Sequence, residues 1–375
     1  MLEDRSPDSC LITRVFSSSR LSESNWSKSY MYPEDDDKLG NGKRPLEVVG
    51  EIRQTKSLKL MGFSITYDSD SSDYSLSGGE EQADALLEWV AFDPVERRWM
   101  QLPTMPSSVT FMCADKESLA VGTDLLVLGK DASSHVIYRY SLLTNSWSSG
   151  MKMNSPRCLF GSASLGEIAI FAGGCDSQRK TLDFAEMYNS ELQTWITLPR
   201  MNKPRKMCSG VFMDGKFYVI GGIGGADSKV LTCGEEYDLE TKKWTQIPDL
   251  SPPRSRADQA DMSPAQEAPP LVAVVNNQLY AADHADMEVR KYDKENKKWL
   301  TVGRLPERAG SVNGWGLAFR ACGERLIVIG GPKYSGGGFI ELNSWIPSDG
   351  GPPQWTLLDR KHSPNFVYNC AVMGC

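Results

Sequence analysis

An aromatic residue stands seven positions ahead of a tryptophan five times in this chain, as Phe92/Trp99, Tyr140/Trp147, Tyr188/Trp195, Tyr237/Trp244 and Tyr292/Trp299. Trp355 ends the series without such a partner. Successive tryptophans are separated by 48, 48, 49, 55 and 56 residues. Near-constant recurrence of this length means that each period is one supersecondary unit, which buries its faces only by stacking on its neighbours.

Within a period the residues read as strands. "GEIAIFAGG" (166–174), "GKFYVIGG" (215–222) and "GERLIVIGG" (323–331) are short β-branched and aromatic runs. They end in the glycine pairs Gly173/Gly174, Gly221/Gly222 and Gly330/Gly331. A glycine pair permits positive φ and close approach of another backbone. "MYNSELQTW" and "EYDLETKKW" follow, each a strand, a polar turn and a second strand that carries the tryptophan. A preceding strand, "CLFGSASLG" or "KMCSGVFMDG", makes four per period. Four antiparallel strands in about 45–50 residues is the unit of a β-propeller blade. On this reading Trp99, Trp147, Trp195, Trp244, Trp299 and Trp355, with Tyr140, Tyr188, Tyr237 and Tyr292, are packing residues of the repeat and line no ligand cage.

The glycine pair followed by Tyr and Trp at this spacing resembles the kelch motif, and the resemblance covers residues 86–375. "LVLGK" (126–130) and "LYAADH" (279–284) depart from the glycine pair, and the last period carries an extra Trp345 and the insert "IPSDGGPP". "RADQADMSP", "VNGWGLAFR", the closing "QWTLLDRKHSPNFVYNCAVMGC" and the opening "MLEDRSPDSC" are similar to the plant F-box/kelch-repeat proteins. That resemblance implies a propeller that holds a protein substrate for an SCF-type ubiquitin ligase. It also implies an F-box of about 45 residues that docks a Skp-type adaptor, and a place in the nucleus or cytoplasm.

The two ends of the repeat region are expected to meet. "NFVYNCAVMG" (365–374) aligns with the first strands of other periods, whereas "LLEWVAFDPVERRW" (86–99) supplies only a third and a fourth strand. The expectation is therefore an all-β, six-bladed kelch-type propeller, closed by the C-terminal strand, with an incomplete first blade. No "KFYVIGG"-like second strand precedes Leu86.

Residues 1–85 form a separate region by composition. They hold 16 acidic and 10 basic residues, nearly all of the net charge of -7, along with 16 serines. Such a stretch buries too little apolar surface to offset the entropy of ordering, so the expectation is a disordered leader in which "SLKLMGFSI" orders on contact with a partner. Ser69, Ser71 and Ser72 sit in acidic context as phosphorylation candidates, against the plainer reading of a solvated tail. Nothing in 1–85 reads as an F-box, and the abrupt change at Ala85/Leu86 places a deletion there relative to the family.

The near-neutral repeat region offers no basic face for nucleic acid, and no apolar run approaches the roughly 20 residues that span a bilayer. Nine cysteines without a C-x-x-C pair read as reduced, mostly buried thiols. No cofactor is expected. A kelch-type copper oxidase needs clustered His and Tyr ligands, but His135, His284 and His362 fall in different periods at unlike positions. "GGIGGADSK" (221–229) is a turn after a strand, not a phosphate loop, because no helical pattern follows it. The candidate contacts are arginines. Arg157, Arg205 and Arg254 each lie ten positions after a tryptophan and behind a proline, and Arg308 is one position out of register. Exposed around a channel mouth they would suit a carboxylate- or phosphate-bearing protein partner. Paired with Glu186 or Glu235 they would instead pin a loop.

Overall fold

The computed structural model describes residues 9–14, 59–63 and 89–374, except 109–110, 112–117, 132–133, 226–228, 254–266, 308–310, 312, 332–337, 349–350 and 364–368. Among the described residues every element is a strand. Five four-stranded antiparallel sheets follow the chain in order, and each is named here by its outer-strand tryptophan. The Trp147 sheet comprises Ser118–Val121, Asp124–Lys130, His135–Ser141 and Ser146–Ser149. The Trp195 sheet comprises Gly161–Leu165, Ile168–Ala172, Ala185–Asn189 and Thr194–Thr197. The Trp244 sheet is Ser209–Met213, Lys216–Ile220, Gly234–Asp238 and Lys243–Ile247. Leu271–Val275, Gln278–Asp283, Glu288–Asp293 and Lys298–Arg304 form the Trp299 sheet. Ala318–Cys322, Arg325–Gly330, Gly338–Trp345 and Thr356–Ser363 form the Trp355 sheet.

The seven-residue spacing has a local cause. Asp93, Asn189, Asp238 and Asp293 end third strands, and the Oδ1 of each accepts hydrogen bonds from amides two to three residues on. The amides of Thr241 and Glu240 help hold the Asp238 carboxyl below its ordinary range, the Thr241 bond being the largest cause. Two residues before each tryptophan, Arg97, Asn145, Gln193, Lys242 and Lys297 take φ between 48° and 56° to complete the turn. Aromatic and tryptophan are thereby set directly opposite one another, as in Tyr188↔Trp195 and Tyr237↔Trp244, with ring centroids 5.0 and 4.9 Å apart. In the last sheet Trp345 takes the aromatic place. It pairs with Leu326 as Tyr237 pairs with Phe217, and its ring lies 5.7 Å from Trp355. The insert after it lengthens the turn, which is why the spacing of seven fails there.

Four of the six repeat indoles also reach backward along the chain. Trp147, Trp195, Trp244 and Trp355 donate Nε1–H to the carbonyls of Pro103, Met151, Pro199 and Arg304, each in the segment that leaves the preceding outer strand. Between sheets lie apolar clusters. Ile170 and Ala172 pack with Phe217, Val219 and Tyr237, and Val211 and Ile220 pack with Val272, Leu279 and Tyr292. This is the stacked architecture of a kelch-type β-propeller.

Five sheets are regular blades, where the sequence reading expected six. Besides a two-stranded ribbon of Ile223–Gly224 and Lys229–Val230, a further sheet has five strands in the order Ser9–Arg14, Asn369–Gly374, Lys59–Phe63, Trp89–Asp93, Arg98–Gln101. Two leader segments address one slot in it. Both Ile12 and Met61 register on Ala91, and both Cys10 and Lys59 register on Met373. That slot is the second-strand place the sequence leaves empty upstream of Leu86.

Two of the three glycine pairs behave as expected. Gly173 and Gly221 have φ of 73° and 63°, and Gly174 and Gly222 both have φ of 95°. A Cβ on Gly174 would stand 2.5 Å from the Cys158 carbonyl oxygen, and one on Gly222 would stand 2.6 Å from that of Lys206. The expectation for Gly330/Gly331 is corrected. Second strands stop at Ala172 and Ile220, just before their pairs, but in the Trp355 sheet the strand runs on through Gly330. Gly330 stays in its ladder opposite Glu341, and Gly331 lies half-buried just past the strand end. Neither Gly330 nor Gly331 is among the described glycines with positive φ. The longer strand has used up the first glycine, so this pair does not make the turn.

Candidate partner-binding face

Antiparallel meanders sort the connections onto two faces. Turns between first and second strands, such as Asp214-Gly215 and Asn276-Asn277, and those between third and fourth strands share one face, the turn face. Links between second and third strands, and between one blade and the next, share the other, the loop face. By strand order the links that leave Gln101, Ile247, Arg304 and Gly330 start on that face, whereas the link from Trp345 to Thr356 belongs to the turn face. A rigid scaffold that concentrates irregular backbone on one side presents its recognition elements on that side.

The expected arginine ring is not what this face displays. Arg157 and Arg205 are 2 % and 0 % exposed. The Arg157 guanidinium pairs with Glu186, whose other oxygen accepts the Ser155 amide, and its Nη2 donates to the Phe171 carbonyl at 3.0 Å. Arg205 repeats the arrangement one blade on. Its Nη2 lies 2.9 Å from Glu235 Oε1, while its Nη1 donates to the carbonyls of Gly221 and Cys233. Glu235 also accepts the amides of Asn202 and Lys203. Each arginine thus comes from the link leaving one blade, and each glutamate from the third strand of the next. These pairs pin the link to the blade, so of the two roles weighed for Arg157 and Arg205 the partner contact is corrected and the loop pin with Glu186 and Glu235 is the one observed. They are buried because the loop folds over the glycine pair, which removes the guanidinium from water and makes the carboxylate its necessary partner. Arg254 and Arg308 lie outside the described residues.

The third blade in this series breaks the pattern. Glu186 and Glu235 each stand two residues before the blade tyrosine, and Arg290 holds that place in the Trp299 sheet. Arg290 is held by Asp283 and Asp286, each at 2.9 Å, and donates to the Pro253 carbonyl at 2.8 Å. Spacing from the tyrosine carried this signal in the sequence, and the reading missed it.

Two hollows remain. Around the axis a cavity of about 260 Å³ is lined by first strands, with Ser162, Ser164, Ser209 and Arg320 among its walls. On the loop face a second cavity of about 260 Å³ lies among Lys130, His135, Cys158, Cys175, Arg179 and Lys206. Asp176 is there too, but the cations outnumber it, and Lys180 stands exposed beside it. Burial, then Lys130, lowers the His135 pKa and keeps its imidazole neutral near pH 7. The surface suits an acidic group. Among the described residues no three His, Cys, Asp or Glu side chains gather as a metal site would require.

The Kelch motif family matches residues 156–202 and 204–251, the Trp195 and Trp244 blades. The fold and this match together define a kelch-repeat propeller. Among curated proteins of Arabidopsis thaliana, F-box/kelch-repeat protein SKIP11 is 78 % identical over 467 positions, spanning all of both chains. F-box/kelch-repeat protein At1g26930 is 70 % identical over 77 % of this chain and 69 % of its own length. F-box/kelch-repeat protein At3g27150 is 41 % identical over 76 % of this chain and 68 % of its own. The chain belongs to the F-box/kelch-repeat proteins, a family whose propeller points to protein interaction rather than catalysis.

Proposed function

We propose that this chain is a substrate-recognition propeller of the SCF-type ubiquitin ligase system, and that it grips a protein partner through the loop face. The cationic side chains Lys130, Arg179 and Lys206 around the loop-face cavity carry the reading. Arg254 belongs to this proposed surface, because Arg290 occupies the place where its pinning carboxylate would stand. Arg308 is proposed with it. The five-stranded sheet serves as the sixth blade. In support, Phe92 and Val90 pack with Ile327, Ile340 and Leu342 of the last regular blade, while Trp89 and Ala91 pack with Leu125 and Tyr140 of the first. Trp99 donates Nε1–H to Asp359 at 2.9 Å across that junction.

A second reading is favoured by one number. The comparison with SKIP11 runs over 467 positions and this chain has 375 residues, so at least 92 of those positions hold no residue of this chain. A missing block of that size would contain an F-box, and its proposed place is the Ala85/Leu86 boundary. The chain then binds the family's partner and withholds it from ubiquitination. Titration of the full chain with a purified Skp-type adaptor separates the two. Saturable binding assigns the receptor role, and no binding at concentrations that saturate a control protein carrying an F-box assigns the withholding role.

A further inference from the structure

The loop-face cavity contains a pair of thiols that neither partner binding nor the packing of the repeat requires. Cys158 follows the Arg157 pin and Cys175 follows the Gly173/Gly174 pair. The two face each other as an isolated antiparallel bridge, exchanging both backbone hydrogen bonds at 3.0 and 2.8 Å. Their Sγ atoms are 3.6 Å apart. A hydrogen-bonded antiparallel pair places its Cα atoms about 5.5 Å apart, inside the roughly 4.4–6.8 Å span of disulfides. Side-chain rotation alone therefore brings the sulfurs to bonding distance.

The bridge itself does not call for cysteine. One blade on, the residues after the Pro-Arg and glycine pairs are Lys206 and Ile223, and they form the same bridge with the same two hydrogen bonds. Placing two thiols at this site is therefore an addition to the repeat. Its surroundings favour thiolate. The cavity also holds Lys130, Arg179 and Lys206, with His135 and Asp176 as the other ionisable groups. The hydrogen bond from Cys158 brings the Cys175 thiol down to about 7, with Lys206 and Arg179 adding to it against burial and Asp176. By contrast burial pushes Cys208 and Cys322 up to about 11 and about 12. Cys175 is buried but lines this cavity and Cys158 is half-buried, so a small oxidant that enters the cavity meets a thiol of thiolate character.

We infer that Cys158 and Cys175 form a peroxide-responsive dithiol, which oxidises to a disulfide that staples the inter-blade link to the glycine-pair turn. The Cys175 thiolate attacks a peroxide oxygen. An S–O bond forms, the O–O bond breaks, and hydroxide leaves to take up a proton as water. Cys158 then attacks the sulfenic sulfur, forming the S–S bond and expelling a second hydroxide, which takes the proton that Cys158 gives up. Two thiols are oxidised and one hydrogen peroxide is reduced to two waters.

The test treats the folded full chain with stoichiometric hydrogen peroxide, alkylates the remaining thiols, and maps disulfides by peptide mass spectrometry. The expected product is one dominant linkage, Cys158 to Cys175, reversed by dithiothreitol and formed before any loss of β-sheet circular dichroism. Cys158→Ser removes the linkage and leaves a sulfenic acid at Cys175 that dimedone traps. Oxidation of other cysteines while this pair stays reduced overturns the inference, as does a Cys158–Cys175 linkage that appears only after unfolding.

Discussion

Arg205→Ala and Glu235→Ala are each expected to destabilise the folded chain by about 3–5 kcal/mol, because each leaves its partner charged, buried and unpaired. Both side chains are fully buried, and the pair lies outside any solvent that could screen it. Arg205→Met combined with Glu235→Leu removes both charges at similar volume and is expected to recover most of that loss. Adding the Arg205→Ala/Glu235→Ala double variant to urea unfolding of the unaltered chain and the two alanine singles completes a double-mutant cycle, whose coupling is expected to be as large as the single losses. Single substitutions that cost less than about 1 kcal/mol would match a surface ion pair and would return Arg205 to the list of partner contacts.

Ending the chain after residue 368 is expected to abolish cooperative unfolding, since it deletes the strand Asn369–Gly374. Cys370 of that strand packs with the last regular blade, while Ala371 and Met373 pack with the first, and all three are at most 3 % exposed. A milder change, Met373→Ala, is expected to cost about 2–5 kcal/mol, the range for truncating a fully buried side chain without collapse of the cavity. Circular dichroism melts check both. An unchanged Tm after truncation would show that the ends of the repeat region are not joined through this strand.

The repeat was legible because its cause is local. An Asp or Asn cap, a four-residue turn and a residue with positive φ set the seven-residue spacing, and each is written in adjacent residues. Trp345 escaped the pattern because an insertion moved it out of register while the ladder kept it in place opposite Leu326. Gly330 and Gly331 matched the motif in letters only, since how far a strand runs before it turns is decided by its partner strand. The arginines show a different limit. Spacing located Arg157 and Arg205 on the correct links, but whether a guanidinium faces water depends on how the loop crosses the glycine pair, which is a tertiary fact. The acids Glu186 and Glu235 were visible as possible partners, and their regular place two residues before each tyrosine was the discriminating signal. Cys158 and Cys175 are 17 positions apart, with no cysteine-spacing motif to link them. They meet because a hairpin returns the chain to its own starting end. The leader was read as unstructured apart from "SLKLMGFSI", and its segments 9–14 and 59–63, the second inside that stretch, both pair with the slot beside Trp89–Asp93. No local pattern marks 9–14 as such a complement, because the ladder is made by backbone groups common to every residue.

Recognition through the loop face is the central claim, and the turn face supplies its natural control. Val95, Leu143 and Leu192 are exposed at successive turns there, an apolar rim that offers a partner a different kind of grip. The direct measurement immobilises the full chain, captures partners from Arabidopsis extract, and quantifies them by mass spectrometry for three proteins. One is unaltered, one carries Lys130→Glu, Arg179→Glu and Lys180→Glu on the loop face, and one carries Leu143→Ser and Leu192→Ser on the turn face. The account predicts that the proteins enriched by the unaltered chain are lost at least tenfold with the loop-face reversals and kept with the turn-face changes. Partners kept by the loop-face variant and lost by the turn-face variant would contradict it.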